Sequence, residues 1–421
     1  MTRVVVIGAG QAGVGVAETL RAKASSAQVT IIGGEAELPY ERPPLSKDVL
    51  LGKSTMDDIR LRSRDWYRTH DVDLRLSTWV ESIDREAHTV ALGSGETVPY
   101  DHLVLATGSQ PRRLPVPGAD LDGVLTLVTP EDSARLRGRL ERARDVVIIG
   151  AGFIGLEVAA AAMTAGHRPV VIELADRVLA RVAGPVLGAH VAGRHAEQGL
   201  DLRLGAGVTE LRGDSGRVTA VVTSTGEVIP ADLVVVGVGS VPADSLAREA
   251  GLDCEGGVLV DETLRTSDPA ISAIGDCCRF PLGDQPTRLE SVQNATDQAR
   301  HVGARLANTV PFWAPYRQVP WFWSTQGSLK LQMVGVPESQ DDEVVRGNPD
   351  GGRFSVFRYS GDRLTSVESL NHAAGHLIGR RLLAADLSPT REQAADPDFD
   401  LKGFATEHQP PARSHESAVT W

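Results

Sequence analysis

The chain has 421 residues, a net charge of −12 from 43 Lys and Arg against 55 Asp and Glu, and 42% hydrophobic residues; at roughly 150 residues per domain it holds two or three globular domains and is neither disordered nor fibrous. The acidic balance argues against a nucleic-acid partner, whose phosphates are bound by Lys and Arg. No run approaches the ~18 apolar residues of a membrane helix, and Cys254, Cys277 and Cys278 are too few and too badly spaced for a disulfide framework.

Met1-Thr2-Arg3 runs directly into VVVIGAGQAGVGVAETL at 4–20. No signal-peptide h-region precedes that strand, so the cytoplasm is the expected location and no membrane contact is expected. β-branched residues, then GxGxxG, then Ala-rich helical spacing predict a strand, a tight turn and a helix. A second strand follows in QVTIIGGE at 28–35, then LPYERPPLSKDVL at 38–50, then short alternating strands in LRLSTWVESID at 74–84 and HTVALGSGETVPYDHLVLATG at 88–108.

The opening unit recurs as VVIIGAGFIGLEVAAAA at 146–162, with its own second strand in RPVVIEL at 168–174 and a closing strand in ADLVVVGVGSVP at 231–242. Two copies imply two nucleotide sites. From Pro320 the texture changes to alternating segments, WFWSTQGSLKLQMVGV and GGRFSVFRYSGDRLTSVESL, followed by a helical stretch at 376–387. The expected class is α/β: two Rossmann-like dinucleotide-binding domains plus a C-terminal α+β domain. Expected boundaries are 1–110 with 242–319 for the first domain, 111–241 for the second, 320–402 for the third, and a flexible tail at 403–421 that lacks periodicity.

Each glycine of the motif has a separate physical task. Gly8 and Gly150 allow the tight turn, Gly10 and Gly152 let the backbone approach a pyrophosphate, and Gly13 and Gly155 allow close helix packing. The phosphates then lie at helix N-termini, beside Ala12 in one copy and Phe153 and Ile154 in the other. Glu173 ends the second copy's second strand, where a carboxylate accepts bonds from ribose hydroxyls and repels a 2′-phosphate, favouring NADH over NADPH. Arg177 and Arg181 stand nearby as helix charges, pyrophosphate contacts or 2′-phosphate ligands.

LVLATGSQPR at 103–112 and TSDPAISAIGDCCRF at 266–280 look like two further flavoprotein signatures serving the first copy, which assigns FAD to it and NADH to the second. Asp276 behind Gly275 is placed to accept a bond from a ribityl hydroxyl. With PPLSK at 43–47, RLESVQNATDQAR at 288–300 and VPWFWSTQGSLKLQMVG at 319–335, the chain resembles the putidaredoxin reductase type of ferredoxin reductase over residues 3 to 402. These enzymes pass electrons from NADH through FAD to a small iron-sulfur protein that feeds an oxygenase, commonly a cytochrome P450.

The resemblance implies flavin contacts at Glu35, Arg42, Pro44, Lys47, Val80, Ala106, Thr107, Gly108, Asp276, Glu290, Ser291, Val292 and Trp323, and a nicotinamide-side contact at Gly239. Lys47 is read either as a surface charge or as a cation stabilising reduced flavin, and the family pattern selects the second. Glu157, two residues past Gly155, is the carboxylate expected to meet that lysine and the nicotinamide amide; its alternative is a solvent-facing helix residue. Trp323 is placed near the flavin to shape the electron exit, while Trp321 and Phe322 fit core packing. No metal ligand set is expected.

Three positions depart from the family pattern: Gly34 where an Asp is usual, Val128 where an Arg is usual, and Thr325 in place of the Asp of WFWSDQ. Weaker FAD binding and an altered partner are the expected consequences. Cys277 and Cys278 read as buried small side chains, since neither CxxC nor CxxxxC faces the flavin segment. A small acidic ferredoxin needs a locally basic face, for which Arg62, Arg300 and Lys330, with Arg60 and Arg64, are candidates. Competing readings keep the flavin and replace the acceptor with a quinone, monodehydroascorbate or oxygen, or make the reduced protein a conformational signal.

Overall fold

A computed structural model of the protein describes residues 1–283, 285–338 and 340–408. The strand Arg3–Ile7 is flanked in parallel by Gln28–Ile32 on one side and His102–Leu105 on the other, and Ile271–Ala273 and Val72–Arg75 complete a five-stranded parallel sheet. A second parallel sheet repeats the plan: Val146–Ile149 lies between Val170–Ile172 and Leu233–Val236, with Asp201–Arg203 and Val124–Leu125 outermost. Central strands of this kind, such as VVVI and VVII, are apolar throughout because helices or loops cover both faces.

Each copy also carries a three-stranded antiparallel meander, at Val80–Asp84, Thr89–Leu92 and Thr97–Pro99 in one and at Val208–Asp214, Arg217–Thr223 and Val228–Pro230 in the other. The second strands are shorter than expected, ending at Ile32 and Ile172 rather than at Glu35 and Leu174. The stretch at 74–84 is two strands, interrupted by Ser77 at φ +50°. Beyond each sheet the chain pairs with its counterpart: Ser109–Pro111 runs antiparallel to Ser240–Pro242.

Compactness divides the chain differently from the expected domains. Residues 1–175 and 199–317 form one unit holding both parallel sheets; residues 176–198 cluster instead with the chain from Gln318 onward. The second unit is built on an antiparallel sheet in the order Trp321–Gln326, Leu329–Gly335, Arg363–Leu370, Arg353–Ser360, Asp342–Asn348, with the helix Ala373–Ala384 against it. The helix Pro185–Glu197 belongs there because buried polar groups hold it. Gly184 N–H donates to both carboxylate oxygens of Glu368 at 3.0 Å, Val186 N–H donates to Glu343 at 3.1 Å, and His195 Nε2 bonds Gln326 Oε1 at 2.8 Å. Carboxylates at a helix N-terminus satisfy its free N–H groups and complement its dipole.

The expected tail at 403–421 also changes. Asp400 caps the helix Leu401–Glu407 through the Lys402 and Gly403 N–H groups, and Leu401 and Ala405 are buried; residues 409–421 lie outside the described residues. Among the described residues, no helix is long and apolar enough to cross a membrane.

Candidate dinucleotide sites

The two glycine turns match residue for residue. Ile7 pairs with Ile32 and Leu105, and Ile149 pairs with Ile172 and Val236. Gly8 and Gly150 therefore correspond, at φ +115° and +105°, and a Cβ on either would lie 2.0 Å from Ala106 O or 2.4 Å from Gly237 O. A Cβ on Gly13 or Gly155 would lie 1.9 or 2.0 Å from the carbonyl oxygen of Gly8 or Gly150. The middle glycines differ: no protein atom comes within 4 Å of a Cβ built on Gly10 or Gly152. Outer glycines are required by the fold itself, while the middle ones border open space.

Gly10 and Gly152 are also the N-caps of helices Gln11–Ala22 and Phe153–Thr164, and no side chain caps either helix. Ala12, Gly13, Ile154 and Gly155 fall in these first turns, beside the open space at the middle glycines and at the positive end of each helix dipole. Gln11 adds a buried amide oxygen without a protein partner in the first of these turns. The residues present fit a dinucleotide pyrophosphate at each turn.

The acids at the two strand ends are not equivalent. Glu173 directly follows Ile172, and its carboxylate accepts from Ala151 N–H at 2.7 Å and Ala175 N–H at 2.9 Å, tying the strand end to the glycine turn. Register puts Gly33, not Gly34, at the matching place in the first copy, and a Cβ there would meet Ala9 Cβ at 2.6 Å. Glu35 is turned instead toward Arg42, which ion-pairs with it, and Tyr40, whose hydroxyl donates to it at 2.6 Å. Arg42 also donates to the carbonyl of Val128 at 2.8 Å, so its guanidinium fixes the backbone at the position where an arginine was missing.

Around the first turn, Ala106, Thr107 and Gly108 follow the strand His102–Leu105 against Gly8, and Thr107 Oγ1 donates to Ala243 O at 2.7 Å. Val80 opens the neighbouring meander. Asp276 accepts from Ser109 Oγ at 3.4 Å, and burial, reinforced by Glu290, pushes its carboxyl up to about 7. Glu290 pairs with Arg288 and with Ser240 Oγ, while Arg288 donates to Asp276 O at 3.3 Å. Ser291 caps the helix Val292–Leu306 through Asn294 N–H at 3.0 Å. Gly239, at φ +98°, takes in the second copy the place of Gly108.

Lys47 and Glu157 come together. Lys47 follows the 3₁₀ turn Pro43–Ser46, whose Pro44 carbonyl accepts the Lys47 N–H at 3.0 Å, and its Nζ lies 2.6 Å from Glu157 Oε2. Glu157 is buried in the helix of the second turn, not facing solvent. Ser46 donates to the same oxygen at 2.6 Å. Sequence reasoning passed over this serine although it lies inside PPLSK; its own position gave no sign of the carboxylate it meets.

Cys277 and Cys278 are free, fully buried thiols that donate to the carbonyls of Ile274 and Gly275, and burial pushes both thiols up, away from the reactive thiolate. Arg62 pairs with Glu18 at 2.9 Å and Arg300 with Asp297 at 3.3 Å. Burial raises the Glu18 carboxyl, and Arg62 and Arg300 together oppose that rise, which sets both arginines around one acid. Arg60 pairs with Asp57. Trp323, Thr325, Lys330 and Arg181 belong to the other compact unit. There Trp323 stacks at a tilt on Trp321, 5.4 Å between centroids; Trp321 is half-buried and packs against the unit's apolar core as expected, and Phe322 is half-buried beside it.

Comparison with known proteins agrees with this arrangement. The pyridine nucleotide-disulphide oxidoreductase model matches residues 2–299, and the reductase C-terminal model matches residues 321–405. Rhodocoxin reductase of Rhodococcus erythropolis is 45% identical over 408 residues, 96% of this chain and 95% of that one. The ferredoxin reductase for the CYP199A2 system from Rhodopseudomonas palustris is 45% identical with a TM-score of 0.93, covering 96% of this chain and 100% of that one. The covalent putidaredoxin reductase–putidaredoxin complex gives 37% identity and a TM-score of 0.93, covering 97% and 99%. The chain belongs to the pyridine nucleotide-disulphide oxidoreductase family, in its branch of FAD-dependent reductases of the putidaredoxin and rhodocoxin reductase type.

Proposed function

We infer that the chain is an NADH-dependent ferredoxin reductase, with FAD at the first glycine turn, that delivers electrons to a small acidic iron-sulfur ferredoxin serving an oxygenase such as a cytochrome P450. The observation that carries this reading is the Lys47–Glu157 pair, which joins the PPLSK segment of the flavin copy to the helix of the nicotinamide copy at 2.6 Å. FAD, when bound, supplies the exchange between two-electron and one-electron chemistry. Lys47 supplies a fixed cation for developing negative charge, and Glu157, with Ser46 on the same oxygen, holds that ammonium in place. Cys277 and Cys278 are fully buried, and that burial pushes both thiols up, away from the thiolate that disulfide chemistry needs.

Glu173 supports NADH as the donor. Its carboxylate is fixed by two backbone N–H groups at the end of the second strand, where a 2′-phosphate would meet negative charge. Arg177 donates one N–H of each terminal nitrogen to the carbonyls of Ala183 and Ala180. Arg181 is the candidate for a dinucleotide phosphate. The relative crystallised with putidaredoxin supports an iron-sulfur protein as acceptor. Arg62 and Arg300 are the docking residues assigned in the first unit and Lys330 in the second; ferredoxin carboxylates would exchange with Glu18 and Asp297 for the two arginines.

The test is NADH-driven cytochrome c reduction by the FAD-supplemented protein, with and without a panel of [2Fe-2S] and [3Fe-4S] ferredoxins, and with NADPH in parallel. Strong acceleration by one ferredoxin is expected. Fast reduction of quinones or dyes with no acceleration by any ferredoxin would replace the reading with a small-molecule reductase.

A further inference from the structure

Gly34 carries no side chain, and the space one would take is filled by Trp79: a Cβ built on Gly34 lies 2.5 Å from the indole Cε2 and Cζ2 atoms. Backbone bonds hold the two segments together, Thr78 N–H to Gly33 O at 2.9 Å and Ser77 N–H to Glu35 O at 3.0 Å. Both segments lie beyond the C-terminal ends of the adjacent parallel strands Gln28–Ile32 and Val72–Arg75. The C-terminal ends of the parallel strands are the side of an open α/β sheet on which ligands bind, and the first glycine turn follows the next strand, Arg3–Ile7, on that same side.

Trp79 is nonetheless 70% exposed, and it walls an open cleft of about 540 Å³ with Arg75, Thr78 and Glu81. An indole fixed through its backbone, with one face on a glycine and much of its surface free, is prepared to stack rather than to fill a core. The strand-end carboxylate of the second copy has no counterpart at the same place here. Gly33 has no room for a side chain beside Ala9, and Glu35, two residues on, is drawn toward Arg42 and Tyr40.

We propose that Trp79 stacks on the adenine of bound FAD, so that an aromatic face holds the adenosine end in the first copy where a carboxylate does so in the second. This rests on the reading that the first glycine turn holds FAD. Base stacking on an aromatic side chain is worth enough that its loss weakens binding about tenfold or more. The ligand groups that distinguish the proposal are known: FMN shares the isoalloxazine and ribityl chain of FAD and lacks the adenosine.

The experiment measures FAD and FMN dissociation constants by flavin fluorescence on the full-length apoprotein, for wild type, Trp79→Leu and Trp79→Phe, with apoprotein melting alongside. Trp79→Leu keeps an apolar group over Gly34 without a stacking face. The expected result is about a tenfold or greater loss of FAD affinity in Trp79→Leu, an unchanged FMN affinity, and recovery in Trp79→Phe. FAD affinity within twofold of wild type in Trp79→Leu, an equal loss for FMN, or no recovery with Phe would overturn the proposal. A wild-type protein that binds no FAD would instead overturn the cofactor reading, before any variant is compared.

Discussion

Lys47 Nζ lies 2.6 Å from Glu157 Oε2, joining two residues 110 positions apart and belonging to different copies of the repeated unit. Within its own copy Lys47 Nζ also donates to Pro43 O at 3.1 Å. Lys47→Ala is expected to slow flavin reduction by NADH about a hundredfold, the scale of losing one fixed electrostatic contact, with NADH affinity little changed. Stopped-flow reduction against NADH concentration separates the two, and a wild-type limiting rate would remove Lys47 from the machinery.

Glu173 closes the second copy's strand end on Ala151 and Ala175 N–H groups. Glu173→Ala should narrow the NADH-to-NADPH ratio of kcat/KM, through poorer NADH use and relief of repulsion toward the 2′-phosphate. An unchanged ratio would mean that other groups read the ribose.

The glycines of one motif should fail in different ways. Gly152→Ala meets no protein atom within 4 Å, so the fold should melt as wild type while KM for NADH rises severalfold. Gly155→Ala drives a methyl to 2.0 Å from Gly150 O, and overpacking of this kind costs about 1–3 kcal/mol. Parallel thermal melts and NADH titrations would show the two losses separating.

Much of the fold was legible because its signals are local. β-branched runs, GxGxxG and the following Ala-rich helices lie within twenty residues and appear twice, so the parallel sheets followed. The placement of residues 176–198 was not legible, because Glu368 lies in an alternating strand sequence, VESL, and such a residue reads as solvent-facing until its partner at Gly184 is known. The correspondence between the two copies' strand ends was hidden for a related reason: only strand register shows that Gly33, packed on Ala9, stands where Glu173 does. At the site, Lys47 was legible through PPLSK, whereas Ser46 and the bond from Arg42 to the Val128 carbonyl depended on tertiary neighbours.

Asp276 carries a carboxyl raised to about 7 by burial and the nearby Glu290. A group raised above its ordinary value favours folding while protonated, so its contribution is complete below about pH 4 and is lost as pH climbs through 7. Asp276→Asn removes that loss. The melting temperature of the Asn variant of the apoprotein, minus that of wild type, should therefore increase between pH 5 and pH 8; a flat difference would mean that Asp276 does not titrate in this range.

Arg300 is paired with Asp297 yet leaves its side chain 61% exposed. Arg300→Glu should raise KM for the ferredoxin severalfold and flatten its dependence on ionic strength. Dye reduction by NADH, which needs no docking, should keep its rate. Equal losses in both assays would move the defect from the surface to the flavin site.

The carboxylate of Glu368 receives the Gly184 N–H across a separation of 184 residues. As the chain emerges from the ribosome at about 5–20 residues per second, the helix behind Gly184 waits roughly ten to forty seconds for its acceptor. Both glycine turns have left the tunnel by then. The nascent chain therefore carries an unfinished helix start until the strand Arg363–Leu370 is made, and a stop codon between Glu197 and Glu368 would leave that helix without its acceptor rather than release a tidy two-site fragment.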